Sequence, residues 1–238
     1  MQELLQGFLS NESAFGRFAS KCGIIIVSNL LFLLFSIPVI TAGASYVALQ
    51  YTMLKVLHED ENINPFKTFY RGFRENVKQS TLCWGITVLS GAVGIADLMI
   101  CRAAGAPLTY VGYMIAVLGI LCAVLLMYLA PVMAAFEDSI LHLIRNAFYF
   151  AFHKPWKMLV IAFFHLFPAF LTYSDAGMMP LYAFCWFFFG FGALAMLDAS
   201  LLLPEFLKFL PEAEEEGAMV TDEEKALLRD MYEMDGFM

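Results

Sequence analysis

An all-α, polytopic transmembrane helical bundle is the fold class that this sequence predicts, and three observations predict it. Apolar residues make up 61% of the 238 positions and charged residues only 15%, where a soluble domain is roughly half apolar and a quarter charged. A globule of this size cannot bury such a surplus in water, so lipid is the solvent that fits. The apolar residues also fall in long runs. Segments 22–54, 103–136, 158–174 and 176–197 carry no Asp, Glu, Lys or Arg, and 79–101 carries only Asp97. Each is near or above the roughly 20 residues needed to cross a hydrocarbon core. The runs are continuous rather than alternating, which favours helices over barrel strands, because lipid leaves no backbone group a partner outside the chain.

The net charge of -8 belongs to one end of the chain. Residues 1–204 hold eleven acidic and eleven basic side chains, whereas residues 205–238 hold eleven acids against Lys208, Lys225 and Arg229. The acidity therefore describes a tail and not a substrate. Outside the tail the acidic and basic residues balance, so nucleic acid is not expected as a partner. The cysteines at 22, 83, 101, 122 and 185 are odd in number and form no Cys-x-x-Cys pair. They read as small membrane-core residues, with no disulfide framework and no metal site.

Residues 1–21 read as an interfacial amphipathic segment, broken near Ser10 and Asn11, with Leu4, Leu5 and Phe8 on one face and Phe15 and Phe18 on another. Ala42-Gly43-Ala44 follows an apolar stretch as a signal-peptide cleavage site does. The length of that stretch and the acids Glu3 and Glu12 argue against one. Residues 22–57 would make a straight helix of about 54 Å, too long for a bilayer. Pro38, Thr41 and Gly43 sit where such a helix most easily breaks and restarts. The segment is then either a hairpin of two short helices or one span followed by a cytoplasmic-side helix.

Basic residues orient the chain. Lys55, Lys67, Arg71, Arg74 and Lys78 mark a cytoplasmic loop, and four spans follow near 79–101, 107–135, 157–174 and 178–204. A hairpin at the start puts thirteen basic residues inside and only Arg102 outside, whereas a single first span splits them eleven to three. Six spans with both termini inside the cytoplasm is the preferred topology, with five as the alternative. A weak repeat supports the even number: Phe73-Arg74 with Lys78 matches Phe152-His153 with Lys157, 79 residues on. Each set follows an amphipathic segment, 66–75 or 139–152, and leads into a helix pair, as duplicated membrane folds do. The transmembrane domain accordingly covers 22–210, and 211–238 forms an acidic cytoplasmic tail. There Thr221 and Glu224 have capping-box spacing before a short helix with Leu227, Leu228, Met231 and Tyr232 on one strip.

Ionisable groups within membrane segments are costly and so become functional candidates. Asp97 lies near the outer end of its span, where pairing with Arg102 is the simpler reading. Asp198 lies six residues before Pro204, where a hydroxyl or amide on another helix would satisfy it. His165 is central in its span, either as a neutral hydrogen-bonded histidine or as a proton relay. Asn29 is expected to hydrogen-bond across helices, a contact worth about 0.6 kcal/mol on average. Thr41 and Gly43 are expected to cap and loosen the break after Pro38, or the break lines a site, as interrupted helices do in transporters. Lys67, Arg71, Arg74 and Lys78 recur at helical spacing among Phe66, Phe69, Tyr70 and Phe73. They suit anchoring to anionic membrane lipids, or docking of the tail or a partner. No zincin, phosphate-loop or nucleophile-elbow motif occurs, so neither an enzyme nor a cofactor is expected.

Residues 29–45, NLLFLLFSIPVITAGAS, together with residues 66–80, FKTFYRGFRENVKQS, resemble two recurrent blocks of the bacterial YesL family. The resemblance extends over roughly 7–210 and leaves the tail outside. It implies an integral protein of the bacterial cytoplasmic membrane with no established catalytic residues, often encoded beside carbohydrate ABC-transporter components. An accessory or regulatory part in carbohydrate uptake, with ABC-transporter subunits as partners, follows as the expectation. A small secondary transporter with its site at the Pro38–Gly43 break is the alternative.

Overall fold

A computed structural model describes residues 14–58, 63–105 and 108–209. Eight α-helices follow one another among these residues: α1 Ala14–Phe35, α2 Ala42–His58, α3 Pro65–Ala104, α4 Leu108–Ala135, α5 Ile140–His153, α6 Pro155–Ser174, α7 Met179–Cys185 and α8 Phe191–Phe206. Of the expected interfacial segment 1–21, residues 1–13 lie outside the described residues and 14–21 are continuous with the first span in α1; the tail 211–238, with its expected short helix, also lies outside them. The chain divides into two compact units, Met1–Leu203 and Pro204–Met238, and the bundle below is that of the first.

Pro38 explains the first break. Its ring removes a helical N–H donor and disfavours α geometry in the residue before it, so α1 closes with Ser36 donating to the Phe32 and Leu33 carbonyls. A single 3₁₀ turn, Val39–Thr41, follows. The Thr41 hydroxyl donates towards the carbonyls of Phe35 at 2.7 Å and Pro38 at 2.8 Å. Helix α2 then starts at once. It is 17 residues long and buried nearly all round, with Ala44, Ser45, Ala48, Leu49, Gln50, Thr52 and Met53 enclosed. Such a helix is a core element rather than a lipid-facing one. It packs against α1, α4 and most extensively α3.

Asn64 caps α3, its side chain accepting from the Lys67 backbone N–H at 3.2 Å, with Pro65 at the first helical position. The helix runs unbroken for 40 residues, about 60 Å, and ends at Gly105, whose φ of 76° no side chain favours. The amphipathic segment 66–75 and the span 79–101, expected as neighbours, are thus one helix. The second half of the repeat behaves differently. Pro155 forces Lys154 to φ -133° and ψ 81° and separates α5 from α6. The matching position in α3 is Asn76, which stays helical and bonds its amide to the Gly72 carbonyl at 3.0 Å.

Among the described residues four helices are long and apolar enough to cross a membrane, or five where Leu126–Ala135 and Ile140–His153, bent by 117°, count as one broken span. The helical membrane bundle is therefore as expected, with a span number slightly below six. The difference lies in α2, at 17 residues too short to count as the second arm of a spanning hairpin, and in the expected span 107–135, of which Leu108–Gly119 is a shorter apolar helix and Leu126–Ala135 counts only with Ile140–His153 as a broken span.

Candidate functional site

Helix α2 carries Tyr46 and Gln50 one turn apart on the same face, and both meet Asp198 of α8. The Gln50 Nε2 amide nitrogen donates to Asp198 Oδ2 at 2.8 Å and to the Tyr46 hydroxyl at 3.1 Å. The Tyr46 hydroxyl lies 3.4 Å from Asp198 Oδ2 and 3.2 Å from His165 Nε2. His165, from α6, places Nε2 3.4 Å from the same carboxylate oxygen. Asp198 and Gln50 are fully buried, and the His165 side chain is 13% exposed. Three helices distant in sequence thus converge on one carboxylate in the bundle interior.

The tautomer of His165 follows from its other nitrogen. Nδ1 sits 2.9 Å from the Ile161 carbonyl oxygen, which can only accept, so Nδ1 carries a hydrogen. A bare Nε2 would then face an ionised Asp198 as acceptor against acceptor. Tyr46 has one hydroxyl hydrogen and bridges to only one of the two. The arrangement is satisfied when an additional proton rests on Nε2 or on the Asp198 carboxyl. Placing a proton here also avoids the penalty of a buried, unpaired carboxylate. Acceptor capacity remains: Asp198 Oδ1 and Gln50 Oε1 are buried without a hydrogen-bond partner among the described residues. The Tyr128 hydroxyl of α4 is likewise buried and unpartnered.

A second tie joins α6 and α8. The buried Lys157 ammonium donates to the Leu201 carbonyl at 2.6 Å. Lys157 and His165 are two turns apart on α6, and Asp198 and Leu201 are one turn apart on α8, so the two contacts share one seam.

Asn29 bonds across helices as expected, but not to this cluster. Its amide nitrogen donates to the Phe187 carbonyl at 2.7 Å and the Trp186 carbonyl at 3.2 Å, and its oxygen accepts from the Gly192 N–H at 2.9 Å. Those carbonyls belong to a π turn, Trp186–Gly190, between α7 and α8. A π turn shifts the helical ladder by one residue and strands backbone groups, and Asn29 takes them up. Phe32, nearly one turn on, meets the Tyr46 ring edge-on at 6.1 Å. Asn29 therefore braces the π turn rather than joining the cluster.

Asp97 is exposed and forms no ion pair with Arg102 among the described residues. The pairing read from sequence fails because α3 continues to Ala104, and residues five apart on a helix point to different faces. Pro38, Thr41 and Gly43 form the break, but Ile37, Val39 and Ile40 around it point outward, so the break itself lines no enclosed site. Gly43 is needed for close approach rather than for loosening. A Cβ there would lie 2.5 Å from Trp84 Cβ, and the Trp84 indole N–H donates to the Val39 carbonyl at 2.9 Å. The break contributes by restarting the chain as α2, which delivers Tyr46 and Gln50 one to two turns later. Lys67, Arg71, Arg74 and Lys78 form an exposed stripe on α3, with Arg71 paired to Glu75 at 2.8 Å. Among the described residues no three His, Cys, Asp or Glu side chains gather as metal ligands would.

Tyr46 and Gln50 were not among the residues singled out from sequence. The available signal was an amide and a phenol four residues apart inside a run free of charge, where each needs a partner.

Residues 25–98 match the family model described as protein of unknown function DUF624. The matched stretch runs from α1 into α3. It contains Asn29, the Pro38–Gly43 break, Tyr46, Gln50 and the basic stripe, but neither His165 nor Asp198. No curated protein matches the chain. No solved structure matches it either.

Proposed function

We propose that this membrane protein acts without chemistry of its own, by taking up and releasing a proton at the buried cluster of Asp198, His165, Tyr46 and Gln50. The observation that carries this reading is the 3.4 Å approach of His165 Nε2 to Asp198 Oδ2 in the bundle interior, which is favourable only with a proton between or beside them. Because the cluster joins α2, α6 and α8, gain or loss of that proton changes how strongly the three helices are held together. Intramembrane carboxylate and histidine groups serve proton relays in many membrane proteins.

The likeness to the YesL family supports a setting in bacterial carbohydrate uptake, as an accessory or regulatory component of the cytoplasmic membrane with both termini inside. ABC-transporter subunits are the partners that this setting suggests. A tagged copy crosslinked in cells growing on a complex carbohydrate is expected to capture such subunits. Recovery of the protein alone would remove the accessory role while leaving the proton site standing.

A second reading, a small secondary transporter, is favoured by the cluster lying just beyond a broken helix. Purified protein in liposomes would then move a solute down an imposed proton gradient, and Asp198→Asn would abolish that movement.

A further inference from the structure

Helix α3 carries a feature that the proton site does not use. Its outer face holds an open groove of about 450 Å³, lined by Lys78, Thr81, Leu82, Gly85, Ile86 and Leu89. One end is polar. The Lys78 ammonium is exposed and has no ion-pair partner among the described residues. The nearby carboxylates are largely occupied, Glu75 by Arg71 and Asp138 by His142. The other end is apolar: Leu82, Ile86 and Leu89 are each more than half exposed, and Gly85 opens the floor, with nothing within 4 Å of where a Cβ would stand.

The length of the groove identifies its occupant. From Lys78 to Leu89 the helix rises about 16 Å, close to one leaflet of a hydrocarbon core about 30 Å thick. Lys78 stands at the point where the apolar run begins. Phe66 and Tyr70, both exposed, lie two to three turns beyond it, on the side away from the apolar run. A cation at headgroup depth above a leaflet-deep apolar channel complements a phosphate bearing an acyl chain.

We infer that the α3 groove is a site for one anionic phospholipid, its phosphate at Lys78 and one acyl chain along Leu82, Gly85, Ile86 and Leu89. This goes beyond the proton reading and stands or falls separately, since neither Asp198 nor His165 takes part.

The full-length protein, purified in neutral detergent, is exchanged into mixed micelles holding equal phosphatidylglycerol and phosphatidylcholine, and the retained lipid is counted by native mass spectrometry. Phosphatidylglycerol is expected to be retained about fivefold over phosphatidylcholine, the preference that one basic residue at a membrane surface confers. Lys78→Gln brings the ratio near one. Gly85→Leu fills the groove without touching charge and lowers retention of both lipids. Arg102→Gln, the same charge removed at the far end of α3, leaves the ratio unchanged. Equal retention of the two lipids by the unaltered protein overturns the site. So do equal losses for Lys78→Gln and Arg102→Gln, the mark of diffuse attraction, or retention in Gly85→Leu that matches the unaltered protein.

Discussion

At residue scale, the cost of leaving a buried polar atom unmet decides what each side chain does. Asp198 accepts from Gln50 at 2.8 Å, so Asp198→Ala removes the nearer of the two acceptors of a buried amide beside His165 and Tyr46. A loss of about 1–3 kcal/mol is expected, read as a lower midpoint of thermal unfolding in detergent. Asp198→Asn keeps an oxygen for Gln50 and nearly the same volume, so its stability is expected to stay within about 1 kcal/mol of the unaltered protein. Asn29→Leu leaves the Phe187 and Trp186 carbonyls and the Gly192 N–H without their partner. It is expected to destabilise by about 1–3 kcal/mol, more than a single interhelical contact, because one amide serves three backbone groups. Unfolding of Asn29→Leu at the same temperature as the unaltered protein would contradict the clamp. Asp198, His165 and Asn29 were legible as polar groups in apolar runs, because the price of such placement is general. Their partners were not, because hydrophobic periodicity reports which residues share a helix face and says nothing of which distant helices meet. Tyr46 and Gln50 belong to that hidden part.

At the scale of elements, proline and glycine set the architecture. Pro38 was readable as a break, and so was the restart that follows. The role of α2 was not. A run of apolar and small residues looks the same in sequence whether it faces lipid or protein, and only packing shows that Ala44, Ser45, Ala48 and Thr52 are enclosed on all sides. Gly43 is the tightest point of that packing. Gly43→Ala sets a methyl 2.5 Å from Trp84 Cβ, an atom too near the backbone to swing aside. Destabilisation of about 1–3 kcal/mol is expected, whereas Gly85→Ala, into open space, is expected to be neutral or mildly stabilising. Comparable unfolding midpoints for the two variants would show that α2 and α3 are not packed as described. The repeat teaches a similar lesson. Matching aromatic and basic residues at 73–78 and 152–157 suggested matching structure, yet Pro155 divides one copy and Asn76 leaves the other continuous.

At the scale of the whole molecule, composition carried the fold class and left the mechanism unstated. A 61% apolar chain with four to five candidate spanning helices among its described residues is a membrane protein. The charge-free runs were enough to say so, because bilayer thickness fixes helix length. Counting spans by charge asymmetry was less secure, since basic residues mark sides of a membrane and do not tell a spanning helix from a core helix like α2. What the bundle encloses is a carboxylate and an imidazole from its second half, held by an amide and a phenol from its first. A proton shared among them gives the molecule a way to couple acidity to the packing of α2, α6 and α8. Infrared difference spectroscopy across a pH step, on the purified protein in lipid, reads that exchange directly. A carboxyl carbonyl band that appears on acidification and vanishes in Asp198→Asn is the expected result. An unaltered band in Asp198→Asn, or no carboxyl band at all across the step, would contradict a proton site at Asp198.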